Sequence, residues 1–378
     1  MPATLWEDIA QSCAFAGGAV REAFVGFAQS CAAMRLQGPI ARSATVVAIA
    51  VVLAAVAASA VHVENVWWVV IGAFMSMRSP RPAALKLGLL RIAGTVGGAA
   101  LALLLMDWIA YDMAACYLVL FAVVCVGILG FNLSRYALAW LFVSITFNLV
   151  VLSSLDDPSI TLTLAADRIG EFVVGTSIAV GVAFMFASAD PAPPPTVSRG
   201  WSGLLTTDIQ ITRHAIRSGL AVMVIPILWS WFALPGASTT AITVVGIMAA
   251  PVLADPRETH AQALVKGLQR IVGCLIGGIY GLFALGFNLD TMLPWLLGLA
   301  AGTWVFAYVQ SDATRVPDVG TQAAIVMIMT FVQGTGPPSS VIPGITRLAG
   351  IFLGLVILFI ITTLIGPPRA RAAQATAH

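Results

Sequence analysis

Charge is scarce in this chain, and the scarcity excludes most of what a protein of this length can be. Only 10% of its 378 residues are charged and 59% are hydrophobic, where an ordinary soluble domain is about 25% charged. The expected surroundings are therefore a lipid bilayer. A net charge of +2 is too slight to suggest nucleic acid as a partner. Long polar stretches are missing as well: outside the apolar runs the longest are residues 1–38 and 189–212, both too short to bury a core of their own. The cysteines Cys13, Cys31, Cys116, Cys125 and Cys274 show no CxxC spacing, and the last three fall inside apolar runs. They read as small packing residues, neither disulfides nor ligands. No Walker loop, HExxH or GxSxG is present, and His62, His214, His260 and His378 are scattered. The sequence thus gives no reason to expect an enzyme, a metal site or a cofactor. A secretory signal is also missing, because Glu7 and Asp8 replace its basic flank. Residues 1–38 are expected to form a cytoplasmic helix on the membrane surface, with Trp6, Ile9, Phe15, Phe24 and Phe27 at the interface. A regulatory or partner-docking helix is the alternative.

What is abundant is apolar sequence in helix-length runs. A bilayer core needs about 20 apolar residues per helix. Six runs lie near 41–62, 65–78, 84–106, 112–131, 135–154 and 165–188, and six more near 213–234, 238–253, 260–286, 291–309, 319–334 and 343–366. The second run of each half is short enough to be tilted, re-entrant or shielded by protein. The expected fold is all-α, a polytopic transmembrane bundle of about twelve helices. An even number per half makes the halves parallel six-helix repeats, residues 39–188 and 213–367. Residues 189–212, with Asp190-Pro191-Ala192-Pro193-Pro194-Pro195, form a proline-rich cytoplasmic linker, and 368–378 a cytoplasmic tail.

Loop charges give the orientation. Arg21, Arg35, Arg78, Arg81, Lys86, Arg135, Arg199, Arg213, Arg257, Lys266, Arg315, Arg369 and Arg371 fall on one side. His62, Glu64, Asp107, Asp112, Asp156, Asp157 and Asp290 fall on the other. The positive-inside rule makes the first side cytoplasmic, with both termini.

The halves also share a motif. Arg91-Ile92-Ala93-Gly94-Thr95-Val96-Gly97-Gly98 is echoed by Arg270-Ile271-Val272-Gly273-Cys274-Leu275-Ile276-Gly277, and Arg168/Gly175 by Arg347/Gly354, both at an offset of 179 residues. Arg42 and Arg217 form a third pair at an offset of 175. Gly94 and Gly98 lie at i+3 and i+7 from Arg91, as Gly273 and Gly277 do from Arg270, so each arginine shares a face with small residues that let helices approach closely. Such arginines face the bundle interior, and a planar guanidinium suits carboxylates. The implied passenger is a small organic anion. Arg91 and Arg270 are the candidate binding pair at intermediate depth. Arg168 and Arg347 are expected near the outer mouth, Arg42 and Arg217 near the cytoplasmic one. For each pair the competing reading is a topological anchor held by backbone carbonyls or lipid headgroups.

Glu171 is the one clearly intramembrane acid. With Asp167 it is the candidate for proton coupling, and a static ion pair with Arg168 at i,i+3 is the alternative. Most tryptophans read as interfacial anchors, including Trp201, Trp229, Trp231 and Trp295. Trp67 and Trp68, beside Glu64-Asn65, are the candidates for aromatic ligand contact. Ser144, Thr146 and Asn148 recur at a spacing of two, which spreads them around a helix and makes a weak signal.

At these residues the chain resembles the fusaric-acid-resistance-like (FUSC) and aromatic acid exporter family. The likeness runs from His62-Val63-Glu64-Asn65-Val66-Trp67-Trp68 through the Arg91 segment to Arg168-Ile169-Gly170-Glu171-Phe172-Val173-Val174-Gly175. In the second half it includes Asp255-Pro256-Arg257 ahead of the Arg270 helix, and it covers nearly all of residues 40–367. The resemblance implies a multi-pass exporter of aromatic or other carboxylic acids in a bacterial inner membrane, often working with a periplasmic adaptor protein. Plant aluminium-activated malate channels look related, with six-helix halves dimerised around an arginine-lined pore, which implies a pseudo-dimeric monomer or a homodimer here. One departure is that only residues 189–212 join the halves, where such exporters commonly carry a sizeable cytoplasmic domain. Three functions follow as expectations: an organic-anion exporter with proton coupling through Glu171, a passive organic-anion channel, and a membrane scaffold without transport.

Overall fold

Apolar runs this long leave the backbone one way to satisfy its polar groups in lipid, which is the helix. The computed structural model describes residues 2–63, 65–77, 81–186, 200–201, 209–232, 236–249, 256–286, 291–337, 340 and 342–364. A long helix α1 (Pro2–Ala32) is followed by twelve others among these residues. In the first half they are α2 (Pro39–Ala60), α3 (Val66–Ser76), α4 (Arg81–Ile109), α5 (Met113–Leu133), α6 (Ala137–Ser154) and α7 (Thr161–Phe186). In the second they are α8 (Ile209–Phe232), α9 (Ala237–Met248), α10 (Pro256–Leu285), α11 (Met292–Ser311), α12 (Pro317–Phe331) and α13 (Ile342–Leu364). The chain is a polytopic helical bundle. Among the described residues eight helices (α2, α4–α8, α10 and α11) are long and apolar enough to cross a membrane. Most of the segment expected as a linker, and the whole tail 368–378, lie outside the described residues.

The short second helices have a physical explanation. With 11 and 12 residues, α3 and α9 rise about 16–18 Å, roughly half the hydrocarbon thickness. Every residue of α3 except Met75 is buried. Of the three alternatives, shielding by protein is the one observed for α3. The 15-residue α12 is likewise buried at every position from Val319 to Phe331 except Ile325.

Glycines set the closest crossings. A Cβ on Gly94 of α4 would sit 2.8 Å from the Cβ of Phe142 in α6, and one on Gly98 3.0 Å from the Cβ of Thr146. Across α10 and α12 the same pattern appears: a Cβ on Gly273 would stand 2.7 Å from the Val319 carbonyl oxygen, and one on Gly277 would overlap the Ala323 carbonyl. Gly175 brings α7 onto the Val69 carbonyl of α3, and Gly354 of α13 would place a Cβ 2.8 Å from the Thr240 carbonyl oxygen of α9. Between halves, α5 packs on α8 and α11 on α2, while α6 meets α9 and α3 meets α12.

The amino-terminal helix, expected at the membrane surface, packs one face against the bundle. Its Ala23 is buried in a cluster with Val272, Val309, Val316 and Val319, Phe27 lies 6.5 Å from Phe306, and Ser30 donates to Asp312 at 3.2 Å. Small residues at 23 and 26 let α1 dock on α10–α12, whereas Phe15 and Phe24 remain exposed. The side chains of Trp6 and Ile9 lie outside the described residues.

Two outcomes test this packing. Gly98→Val and Gly277→Val should each lower the thermal midpoint in detergent by several degrees, whereas Gly181→Ala, where a Cβ meets nothing within 4 Å, should leave it unchanged or raise it. Asp312 accepts a hydrogen bond from the Thr314 hydroxyl at 2.6 Å, and this bond most of all, with Ser30 and Arg315 assisting, holds its carboxyl below the ordinary value of 3.8. The stabilisation is therefore present above that value and lost as pH falls through the lower folded one. The difference in thermal midpoint between the natural protein and Asp312→Asn should shrink as pH drops through this window.

Candidate functional site

The same glycines that bring α4 against α6 and α10 against α12 decide where Arg91 and Arg270 point. Arg91 lies ten residues into α4 and Arg270 fourteen into α10, about 15 and 21 Å along the helices. Both line one cavity of ≈ 290 Å³ between the halves. Arg91 is buried, with Nη1 donating to the Ser76 hydroxyl at 2.9 Å and its guanidinium carbon 5.7 Å from the Phe142 ring centroid. Arg270 is half-buried, and a Cβ on Gly246 of α9 would stand 3.0 Å from its Nη1. Glycine at 246 is what makes room for that guanidinium.

Each helix contributes a stripe to the cavity. From α6 come Leu138, Leu141, Phe142 and Ile145, and from α12 Asp318, Thr321, Gln322, Ile325 and Met329. From α9 come Thr239, Ile242, Thr243 and Gly246, and from α10 Lys266 and Arg270. The spacings of three and four mark single helical faces. Trp68, Ile71 and Met75 of α3, Phe131 of α5 and Phe172 of α7 complete the first-half side. That side is apolar and aromatic apart from Arg91. The second-half side carries hydroxyls, an amide, two cations and one carboxylate.

Arg168, the candidate for the outer mouth, lies seven residues into α7. It is 3% exposed, and its Nη2 donates to Glu171 Oε1 at 3.1 Å while Nη1 lies 3.0 Å from Oε2. Its guanidinium carbon stands 5.0 Å from the Trp68 ring centroid. Trp68 in turn stacks on Trp67 at 4.2 Å and tilts against Phe172 at 5.9 Å, and Phe172 meets Phe142 edge-on at 5.4 Å. An unbroken series of ring contacts therefore joins Arg168 to Arg91. Of the two tryptophans singled out from the sequence, Trp68 lines the cavity and Trp67 backs it. Glu171 does not line the cavity, and Asp167 is half-buried on the same helix.

The remaining candidates are not brought there. Arg42 is exposed at the start of α2, and Arg217 is buried in α8 without lining the cavity. Glu64 and the side chain of Arg347 lie outside the described residues, while the backbone of 347 is helical in α13. Trp295, expected as an interfacial anchor, is fully buried and donates to the Phe331 carbonyl at 2.9 Å. Trp231, 75% exposed at the end of α8, fits the anchor expectation. Asn148 donates to the Ser144 carbonyl at 2.7 Å, and Ser144 donates to Val123 of α5 at 3.2 Å. These polar residues thus pack α6 internally and on α5.

Sequence reasoning missed Lys266, which it assigned to a loop, and the polar stripe of α12. The available signal was spacing: Lys266 precedes Arg270 by four, and Asp318, Thr321 and Gln322 follow i, i+3, i+4. Lys266 donates to the Ala249 carbonyl at 3.2 Å and His214 contacts the Met248 carbonyl at 2.8 Å. Both satisfy backbone oxygens at the end of α9. Among the described residues no group of three or more metal-ligating side chains occurs.

Residues 49–182 match the protein family described as fusaric acid resistance protein-like. The match spans the stretch from α2 to α7 that supplies Trp68, Arg91, Phe142, Arg168 and Phe172. No curated protein and no solved structure matches the chain.

The Arg168–Glu171 pair can be tested by a double-mutant cycle. Arg168→Leu or Glu171→Leu alone leaves a buried charge and should cost about 3–5 kcal/mol. The double variant should recover most of the loss, measured by unfolding in detergent.

Proposed function

We propose, on the premise of a fusaric acid resistance protein-like first half, that the chain is an inner-membrane transporter that exports small organic anions, with aromatic carboxylic acids as the substrate class. The carrying observation is a single interior cavity shared by Arg91 and Arg270, the repeated arginines, and walled by Trp68, Phe142 and Phe172. Guanidinium groups away from bulk water attract a carboxylate strongly, and aromatic rings beside them accept a planar apolar body. The cytoplasmic position of both termini follows from the loop charges, and export is the direction implied by the family resemblance. A periplasmic adaptor and a pseudo-dimeric or homodimeric assembly belong to the same proposal.

A passive organic-anion channel is the second reading. It is favoured by one observation: Glu171, the acid proposed to carry protons, is held by Arg168 through both carboxylate oxygens and does not face the cavity. Proton flux in step with substrate would decide for the exporter, and currents set by voltage alone for the channel. The scaffold reading fits least well with an arginine-lined cavity between the halves.

In proteoliposomes, Arg270→Gln should reduce uptake of a labelled aromatic carboxylate about tenfold to a hundredfold, the loss of one charge-assisted hydrogen bond, and Arg91→Gln, which removes a second positive charge from the cavity, should reduce it as well. Arg42→Gln, remote from the cavity, should leave uptake within twofold. Full flux in the Arg91→Gln, Arg270→Gln double variant would overturn the assignment of the cavity.

A further inference from the structure

The two walls of the cavity match in contact register, and at part of the matched positions their chemistry differs. Gly94 and Gly98 of α4 approach Ala139, Phe142 and Val143 of α6, and Gly273 and Gly277 of α10 approach Val319, Gln322 and Ala323 of α12. That contact register aligns α6 with α12 at an offset of 180. Under it Leu138 corresponds to Asp318, Leu141 to Thr321 and Phe142 to Gln322, and all six line the cavity. The short helices repeat the contrast. Gly175 sits on the Val69 carbonyl of α3 and Gly354 on the Thr240 carbonyl of α9, an offset of 171 that aligns Trp68 with Thr239, both cavity-lining. At these four positions the first half presents an apolar or aromatic side chain and the second half a polar one, while Ile71 with Ile242, Ile145 with Ile325 and Phe172 with Ile351 are apolar on both sides.

The cations are unequal in the same sense. Arg91 is 5% exposed and gives Nη1 to Ser76, which itself contacts Thr176 at 3.4 Å. Arg270 and Lys266 are half-buried on the wall that also holds the half-buried Asp318. Two cations and one carboxylate leave that wall one positive charge in excess.

Resting on the transport reading above, we infer that the two halves divide the recognition of one amphipathic anion: the α3/α6/α7 wall holds its apolar body, the α9/α10/α12 wall holds its charged head beside Arg270, and Asp318 restricts that head to a single negative charge. A second charge on the ligand would meet the Asp318 carboxylate in a site of low dielectric, where like-charge repulsion is strong. A compact dianion is therefore disfavoured twice, by Asp318 and by the apolar wall it cannot cover.

The test uses the full chain in detergent and equilibrium binding of three probes: benzoate, phthalate (the same ring with a second carboxylate) and acetate (the same head without the ring). Asp318→Asn should raise the phthalate-to-benzoate affinity ratio at least fivefold. Leu141→Thr should lower the benzoate-to-acetate ratio at least threefold, and Thr321→Leu should not. Because Phe142 also packs under Gly94, Leu138→Asn serves as a second apolar-wall variant, and only variants with a thermal midpoint near that of the natural protein are compared. An unchanged phthalate-to-benzoate ratio in Asp318→Asn would overturn the charge restriction. Equal effects of Leu141→Thr and Thr321→Leu would overturn the division of walls while leaving the transport reading intact. Absence of benzoate binding in the natural protein would remove the transport reading, and this inference with it.

Discussion

A guanidinium group inside a membrane protein must be given partners, because hydrocarbon supplies none. The interior of this bundle is organised around that demand. Arg168 meets it with both oxygens of Glu171 and the face of Trp68. Arg91 meets it with the hydroxyl of Ser76 and the ring of Phe142. Since Phe142, Phe172 and Trp68 touch in series, the two solutions are mechanically one. The aromatic wall supports the cations, and the cations help fix the orientation of the aromatic wall. This double duty fixes the geometry at which Trp68 and Phe172 face the cavity.

Backbone proximity is what makes the demand satisfiable. Where α4 crosses α6 at Gly94 and Gly98, no side chain intervenes, so Arg91 reaches the Phe142 ring without lifting the helices apart. Where α10 crosses α12 at Gly273 and Gly277, the same closeness sets Arg270 and Gln322 on one cavity. Small residues thereby convert a sequence pattern into a placement of charge. The half-length helices α3 and α9 add the remaining surface, and their ends are satisfied by protein: His214 and Lys266 reach the final carbonyls of α9.

The fold was legible in the sequence to the extent that it is written in period and length. Apolar runs predicted the twelve helices after α1 with ends off by a few residues, and the shared offset of 179 includes Arg91 and Arg270, which line one cavity. What could not be read was which face of a helix looks inward when nearly every face is apolar. In α6 and α12 the polarity of the lining differs at the same register, so no common pattern marks it. Lys266 looked like a loop charge because α10 begins at Pro256, before the apolar run does. Arg42 and Arg217 looked equivalent because sequence spacing does not reveal that α8 is packed against α5 where residue 219 is glycine. Trp295 looked like an anchor because composition does not show that its indole finds a carbonyl in the core.

The positional correspondence of Phe142 with Gln322 and of Leu138 with Asp318 has an evolutionary reach. An assembly of two identical subunits must repeat every lining residue across its axis, so each mutation strikes twice and every pose has a mirror twin. A covalently joined chain is free of that obligation. Under the proposed division of the cavity, one substitution would retune the head of a ligand without disturbing its tail, and the degeneracy of a symmetric pocket would give way to a single preferred pose.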